Sequence, residues 1–399
     1  MLCGLCFTLT FGLVYSYSDF FIPLQQEFGW NAVQDSTIPA ASLIVFSFGS
    51  LIGGSVIRKL GWRSTCILGS CLTGLGIAFS SQVSNYDELL VLFGIVFSLG
   101  NAFTVLCTGP LVVKWFLKRR GLAVGVTSAG SGVGTLTIPP IAEYFISTYG
   151  WRISFLLIGL FFLVLLLGVS YFMRTPEENE MFPYGWKNLS REEKRRSQDS
   201  LNLKQALGTS RYWMIFVMFF LGTVGVTMFV VHASPFGLTE GIDQFHASIA
   251  IGILGAGSLI GRIAMGSVSD KISRGTTVSI SLLSELIGLA IIPFVSGSIY
   301  LFFISGLAIG FGYGGYLADF ISLIGDLFGS ESVANVWGFT EVSYGLGGLV
   351  GPIIAAAYFS RFGTYIGIFE IAALCLLAAL VISIFFSRQV GRVKISQVI

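Results

Sequence analysis

Asp19, Arg262, Glu285, Asp319 and Glu341 are charged side chains inside long apolar stretches of this 399-residue chain. Arg262 lies about eight residues, or ~12 Å of helix rise, from the nearer end of its stretch. A charge at that depth costs ~2.5–3.5 kcal/mol on insertion scales, so the side chain must face protein or water. Its planar fork offers two parallel hydrogen bonds to a carboxylate, which makes it a candidate anion-binding group. A structural ion pair or a snorkelling arginine would satisfy the same constraint. The acids are cheaper to insert in neutral form, so Asp19, Glu341 and Asp319 are candidate proton carriers unless they pair with Arg262 or with backbone donors. His232 suits either a proton relay or a structural cap, and His246 an interfacial position. Tyr17, Asn101, Thr104, Thr108 and Tyr344 add hydrogen-bonding groups without charge, although an aromatic on a membrane helix is most often packing.

Covalent chemistry has no foothold. The helical H-E-x-x-H, G-x-S-x-G and G-x-x-x-x-G-K-[ST] patterns are absent from the sequence, so neither an enzyme nor an ATP-driven pump is expected, and no metal or cofactor. Cys3, Cys6, Cys66, Cys71, Cys107 and Cys375 fall in or beside apolar stretches without metal-type spacing and read as small packing residues.

The elements that position these groups follow from composition. Apolar residues make up 54% of the chain and charged residues 11%, against roughly 25% charged in soluble domains, and the mean hydropathy is +0.82. Lipid is therefore the main solvent. Unpaired backbone amides cost several kcal/mol in hydrocarbon, and the apolar runs are ~20 residues or longer without strand alternation, so the fold class is an all-α membrane protein. Spans are expected near 2–24, 36–57, 64–83, 88–115, 121–146, 152–173, 212–235, 246–270, 276–296, 298–322, 331–359 and 363–387. Except for Arg152, Arg361 and Arg262, all 23 Lys and Arg fall on one face. By the positive-inside rule that face, with both termini and the 174–211 loop, is cytoplasmic. Orientation accounts for the basic residues, so no nucleic-acid partner is expected. The start MLCGLCFTLTFG lacks basic residues and runs straight into span 1, so no cleaved signal peptide is expected.

The charged 174–211 segment reads as an amphipathic or partly disordered linker between an N-terminal six-helix bundle (1–173) and a C-terminal one (212–399). An internal echo supports the division. GSVIRKLGWR at 54–63 is answered by GSVSDKISRG at 266–275, and Pro140, Tyr144 and Phe145 by Pro352, Tyr358 and Phe359. Two related bundles with a binding site near the midplane are implied. The 50 glycines suit close helix packing, either static or allowing the bundles to rock.

FIPLQQEFGW (21–30), KWFLKRRGLAVGV (114–126), YGWRISF (149–155), VHASPFGLTEGI (231–242), GSLIGRIAMGSVSDKISR (257–274) and IGFGYGGYLADF (309–320) together resemble the major facilitator superfamily over essentially the whole chain. Within it they resemble the monocarboxylate-porter and oxalate/formate-antiporter branch. The resemblance implies two pseudo-symmetric six-helix bundles, alternating access and Arg262 as the anion-binding group. Asp270, Lys271 and Arg274 correspond to the second-half copy of the superfamily's loop motif, which implies gating. The first-half copy departs from the pattern, with Arg58 where an acid usually stands. Span 9 is usually peripheral in this fold, which ranks Glu285 below the other acids. Ile22 replaces a lysine frequent in the branch, the Glu341 region stands where oxalate exchangers carry another lysine, and Ser258 replaces an acid of the animal carriers. A single deep cation favours a monoanion over oxalate.

The expected function is proton-coupled transport of small monocarboxylates such as lactate, pyruvate, acetate or formate, by a chain working as a monomer in the plasma membrane. The alternatives are an oxalate/formate-type exchanger, a carrier of neutral or cationic solutes held by the buried carboxylates, and a membrane sensor that has lost transport.

Overall fold

The structure is a computed structural model that describes residues 1–30, 32–188 and 200–396. Twelve long helical segments are described: α1 (Leu2–Phe28), α2 (Ala32–Leu60), α3 (Trp62–Ser80), α4 (Tyr86–Trp115), α5 (Arg120–Tyr149), α6 (Trp151–Ser170), α7 (Ser210–Thr239), α8 (Gln244–Ser269), α9 (Arg274–Phe294), α10 (Ile299–Phe328), α11 (Val333–Phe362) and α12 (Ile366–Ser396). All but α3 are long and apolar enough by hydropathy to cross a membrane. α3 falls short because its inner faces are made of small residues. A Cβ on Gly69 would stand 2.8 Å from the Gly100 carbonyl oxygen of α4, and one on Gly74 would stand 2.5 Å from Leu163 of α6. Its low hydropathy thus reflects tight packing inside a bundle.

Local chemistry sets the helix ends. Gly61 and Gly150 take positive φ values of 81° and 80°, which lets the chain turn directly into Trp62 and Trp151 at the starts of α3 and α6. Asn85, Thr209, Asp243 and Ser298 accept backbone N–H bonds at the starts of α4, α7, α8 and α10. α1 is interrupted: a 3₁₀ turn over Tyr17–Phe20 separates its two ends, so faces before and after that turn are rotated relative to an ideal helix.

The first six and last six helices form the two bundles of an all-α membrane fold. They meet along α2–α11 and α5–α8, pairs related by the internal repeat. Glycine makes both contacts close. A Cβ on Gly338 would stand 2.3 Å from the Ser50 carbonyl oxygen, and one on Gly125 would stand 2.2 Å from that of Arg262.

Part of the linker read at 174–211, residues 189–199, lies outside the described residues. Its start folds back on the α4–α5 connection, where the Tyr184 N–H donates to Trp115 (2.7 Å) and its carbonyl accepts from Leu117 (3.0 Å). Its end meets the α10–α11 connection through the Leu201 N–H to Phe328 O (2.9 Å).

Candidate functional site

A cavity of about 60 Å³ lies between the bundles, walled by α1, α4, α5, α8, α10 and α11. One water occupies about 10–15 Å³ on this measure, so the space holds a solute of a few heavy atoms.

Arg262 is the cation in its wall. The side chain is 6% exposed, its Nε donates to Ser258 Oγ at 3.2 Å, and its guanidinium carbon lies 5.8 Å from the centre of the Tyr313 ring. Among the described residues no carboxylate comes within ion-pair distance of it. Three tyrosines from three helices surround it: Tyr15 of α1, Tyr313 of α10 and Tyr344 of α11, with the first two hydroxyls beside that of Tyr344. Glu341 stands in the same cavity, 6% exposed, with Trp337 one turn before it against its carboxyl. Thr108 and the α5 hydroxyls of Ser131 and Thr135 line the N-terminal wall.

The cavity therefore gathers Arg262, Glu341, Tyr344 and Thr108 from the sequence-based candidates. Other candidates lie elsewhere. Tyr17 is buried against Phe21 and Phe93. Asn101 accepts from Thr10 Oγ1 at 2.5 Å, and Thr104 packs where α4 meets Gly69 of α3. His232 sits beside α11 and the α11–α12 connection, near the Pro352 backbone and the Tyr365 ring. Asp19 is half-buried on α1, with Glu143 of α5 as its charged neighbour. Asp319 is fully buried near Ser269 and Thr277. Tyr15 was not singled out in the sequence, and the only signal for it is its position two residues before Tyr17.

At the end that carries the basic loops, the bundles are latched. Asp270 of the α8–α9 loop accepts the N–H groups of Gly121 (2.8 Å) and Leu122 (2.9 Å) at the start of α5, in the other bundle. Those N–H groups have no intrahelical partner and carry the positive end of the helix dipole, so the acid stabilises them twice over. Asp326 of α10 pairs with both Arg120 of α5 and Arg274 of α9. Lys114 adds a further pair to Glu331, 2.8 Å to either oxygen. Lys271 is exposed. Arg58 donates to Ser55 one turn before it, within α2. Asp326 and Arg120 complete the network around the gating candidates Asp270 and Arg274. They were legible only as charges near span ends.

The sequence pattern of the Major Facilitator Superfamily matches residues 2–283 and 241–396. The chain belongs to that family. It is 25% identical over 382 residues to the oxalate:formate antiporter of Oxalobacter formigenes, covering 96% of this chain and 89% of that protein. Monocarboxylate transporter 1 of Homo sapiens is 34% identical over 144 residues, 36% of this chain but only 29% of the human protein. The superfamily fold is also seen in FucP, a superfamily transporter solved in the outward conformation, with a TM-score of 0.74 at 16% identity over 96% of this chain and 97% of that one. This superfamily transporter thus has relatives named for small carboxylates, and its cavity holds a guanidinium with no carboxylate paired to it among the described residues.

Proposed function

We propose that the chain carries small organic monocarboxylates across the plasma membrane in symport with protons, by alternating access, with the basic face cytoplasmic and the monomer as the working unit. The observation that carries this reading is Arg262, buried in the cavity wall with a hydroxyl as its hydrogen-bond partner. A buried charge without a counter-charge is costly, and a bound carboxylate would offset that cost through two charge-assisted hydrogen bonds. The tyrosine hydroxyls and Thr108 would donate to its remaining lone pairs. A cavity of about 60 Å³ fits formate, acetate, pyruvate or lactate, and a single guanidinium in it suits one negative charge better than two.

Glu341 is the acid best placed to carry the proton, because it shares the cavity with Arg262 without pairing to it. Symport then moves a neutral sum of charges, and neither charged group crosses the low-dielectric stage alone. Asp270, Arg274, Asp326 and Arg120 would form the gate on the cytoplasmic side, a reading supported by their contacts across the two bundles.

The test is uptake of labelled lactate, pyruvate, acetate, formate and oxalate into proteoliposomes under an imposed pH gradient of either sign. Gradient-driven accumulation of a monocarboxylate that Arg262→Ala abolishes is the expected result. Absence of uptake of every anion would overturn the reading. Glu341 also favours a second reading, in which it binds a cationic solute and Arg262 only balances charge. Competition by amines rather than carboxylates would identify that case.

A further inference from the structure

α9 and α10 are pressed together along glycine. A Cβ on Gly312 would stand 2.4 Å from the Ser281 carbonyl oxygen, and one on Gly315 would stand 2.4 Å from Ser281 Oγ. Thr277, Ser281 and Glu285 recur every fourth residue on α9. Tyr316, Asp319 and Ser322 recur every third residue on α10. Each set occupies one helix face, and the two faces meet. The result is a polar seam inside the C-terminal bundle, running ~12 Å from Glu285 toward the basic end.

Among the described residues the seam is dense in buried polar atoms that lack a partner in hydrogen-bond geometry. Ser281 Oγ, both oxygens of Glu285, the Tyr316 hydroxyl, both oxygens of Asp319 and Ser322 Oγ are buried without a hydrogen-bond partner, and all five side chains are 0% exposed. The Glu285 carboxyl and the Tyr316 hydroxyl lie against each other without hydrogen-bond geometry. Both heads project into a niche walled by α7. A Cβ on Gly225 would stand 3.2 Å from Glu285 Oε1, and one on Gly222 would stand 2.8 Å from the Tyr316 oxygen. Leu376 of α12 also reaches this niche.

Purely structural acids fit this arrangement poorly. A neutral carboxyl with no partner costs more than an apolar side chain of the same shape, and an ionised one costs far more. Two such acids joined by hydroxyls suit a proton that comes and goes. The charged and titratable groups facing Glu285 are Tyr316 and, beyond it, Arg262. Those facing Asp319 are Arg274 and Asp270, with Thr277 and Ser269 beside it. Tyr316 in turn packs edge-on against Tyr313, whose ring lies under Arg262, so the seam touches the cavity wall through one pair of rings 5.8 Å apart.

We propose that the α9–α10 seam is a second proton-binding site, separate from the transport cavity, with Glu285 as its inner acid and Asp319 as its exchange point with the basic end. The inference rests on the proton coupling proposed above. Ser281 and Tyr316 turn into hydrogen-bond reach of the acids only during transfer; each hydroxyl then accepts one proton and releases its own, so only O–H bonds change and no electrons are transferred. The proton thereby reaches the basic end while the Asp270 latch stays shut.

The experiment compares equilibrium exchange with gradient-driven accumulation of labelled lactate or formate, whichever the unmodified chain exchanges, in proteoliposomes. Glu285→Gln keeps the shape of the neutral acid, and it is expected to retain exchange while losing accumulation. Ser281→Ala interrupts the file without touching an acid, and it is expected to slow accumulation while exchange persists. Should Glu285→Gln fail to fold and show no exchange, Ser281→Ala decides alone. Accumulation at the unmodified rate in either exchanging variant overturns the seam. If the unmodified chain exchanges but accumulates under neither gradient, the coupling itself falls, and the seam with it. That outcome is read without any variant.

Discussion

Lysine at position 262 would keep a positive charge but lose the fork. A guanidinium grips a carboxylate through two parallel N–H groups, and an ammonium offers a single point of charge. Hydrogen bonds to charged groups are worth about 1.5–3 kcal/mol, so Arg262→Lys should weaken monocarboxylate binding by roughly 10- to 150-fold, and Arg262→Ala should abolish it. Binding isotherms of lactate or formate to the purified protein check both. Glu341→Gln removes the acid that shares the cavity, and the half-saturation concentration for the anion should then stop responding to pH. A response equal to that of the unmodified chain would remove Glu341 from the coupling. Arg262 and Glu341 were legible in the sequence because a charge in hydrocarbon is conspicuous whichever way it faces. Neutral polar residues gave no such signal. A helix rotates about 100° per residue, so the polarity of Tyr17, Asn101 and Thr104 did not say which neighbour they face. The 3₁₀ turn at Tyr17–Phe20 shifts the face of α1 further, and Tyr15 takes the cavity position.

Between elements, the question is what lets α5 and α8 approach so closely. Gly121 and Gly266 face each other, and a Cβ on Gly121 would stand 2.3 Å from the Gly266 carbonyl oxygen. Gly125 has the Arg262 carbonyl at 2.2 Å. Backbone on the far side cannot swing away as a side chain can, so Gly125→Ala must part the two helices or strain them. Overpacking costs about 1–3 kcal/mol, and the cost falls only on the state in which these helices touch. The variant should therefore shift the equilibrium roughly 5- to 150-fold toward the state open at the basic end. Spin labels at Lys118 and Lys271, both exposed on the two sides of the latch, would report a longer distance in Gly125→Ala. An unchanged distance distribution would mean that α5–α8 contact does not hold the closed state. Glycine abundance showed in the sequence that helices approach closely, but not which pairs do so, because that depends on the rotation of each helix about its own axis. For the same reason a span ranked low because it is usually peripheral in the resembled fold can still turn one face inward, as Glu285 does.

Across the whole molecule, the repeat relates position 270 to 58 and the start of α5 to the start of α11, at one offset of 212 residues. The relation is broken at the proposed gate. Asp270 accepts the N–H groups of Gly121 and Leu122 at the start of α5, whereas Arg58 turns back to Ser55, and Ser332 gives no side-chain cap to the start of α11. α2 and α11 are nonetheless in close contact beside it, with the Gly54 Cβ position 2.7 Å from Asn335 Oδ1. One half of the closure is thus held by a charge against a helix dipole, and the other by packing and the Lys114–Glu331 pair, with no acid on the α11 dipole among the described residues. An acid at position 58 would meet the positive end of α11, a contact worth about 0.3–1 kcal/mol in exposed settings and up to ~2 when partly buried. Arg58→Asp should accordingly stabilise the closed state roughly 2- to 30-fold and slow the opening at the basic end by a comparable factor. Asp270→Asn should do the reverse, because it withdraws the charge from α5. The Lys118–Lys271 label pair reads both variants, and the two combined should return the equilibrium toward that of the unmodified chain. If Arg58→Asp leaves the distance distribution where it was, the two halves do not share one closing mechanism, and the packing of α2 against α11 with the Lys114–Glu331 pair suffices on its side.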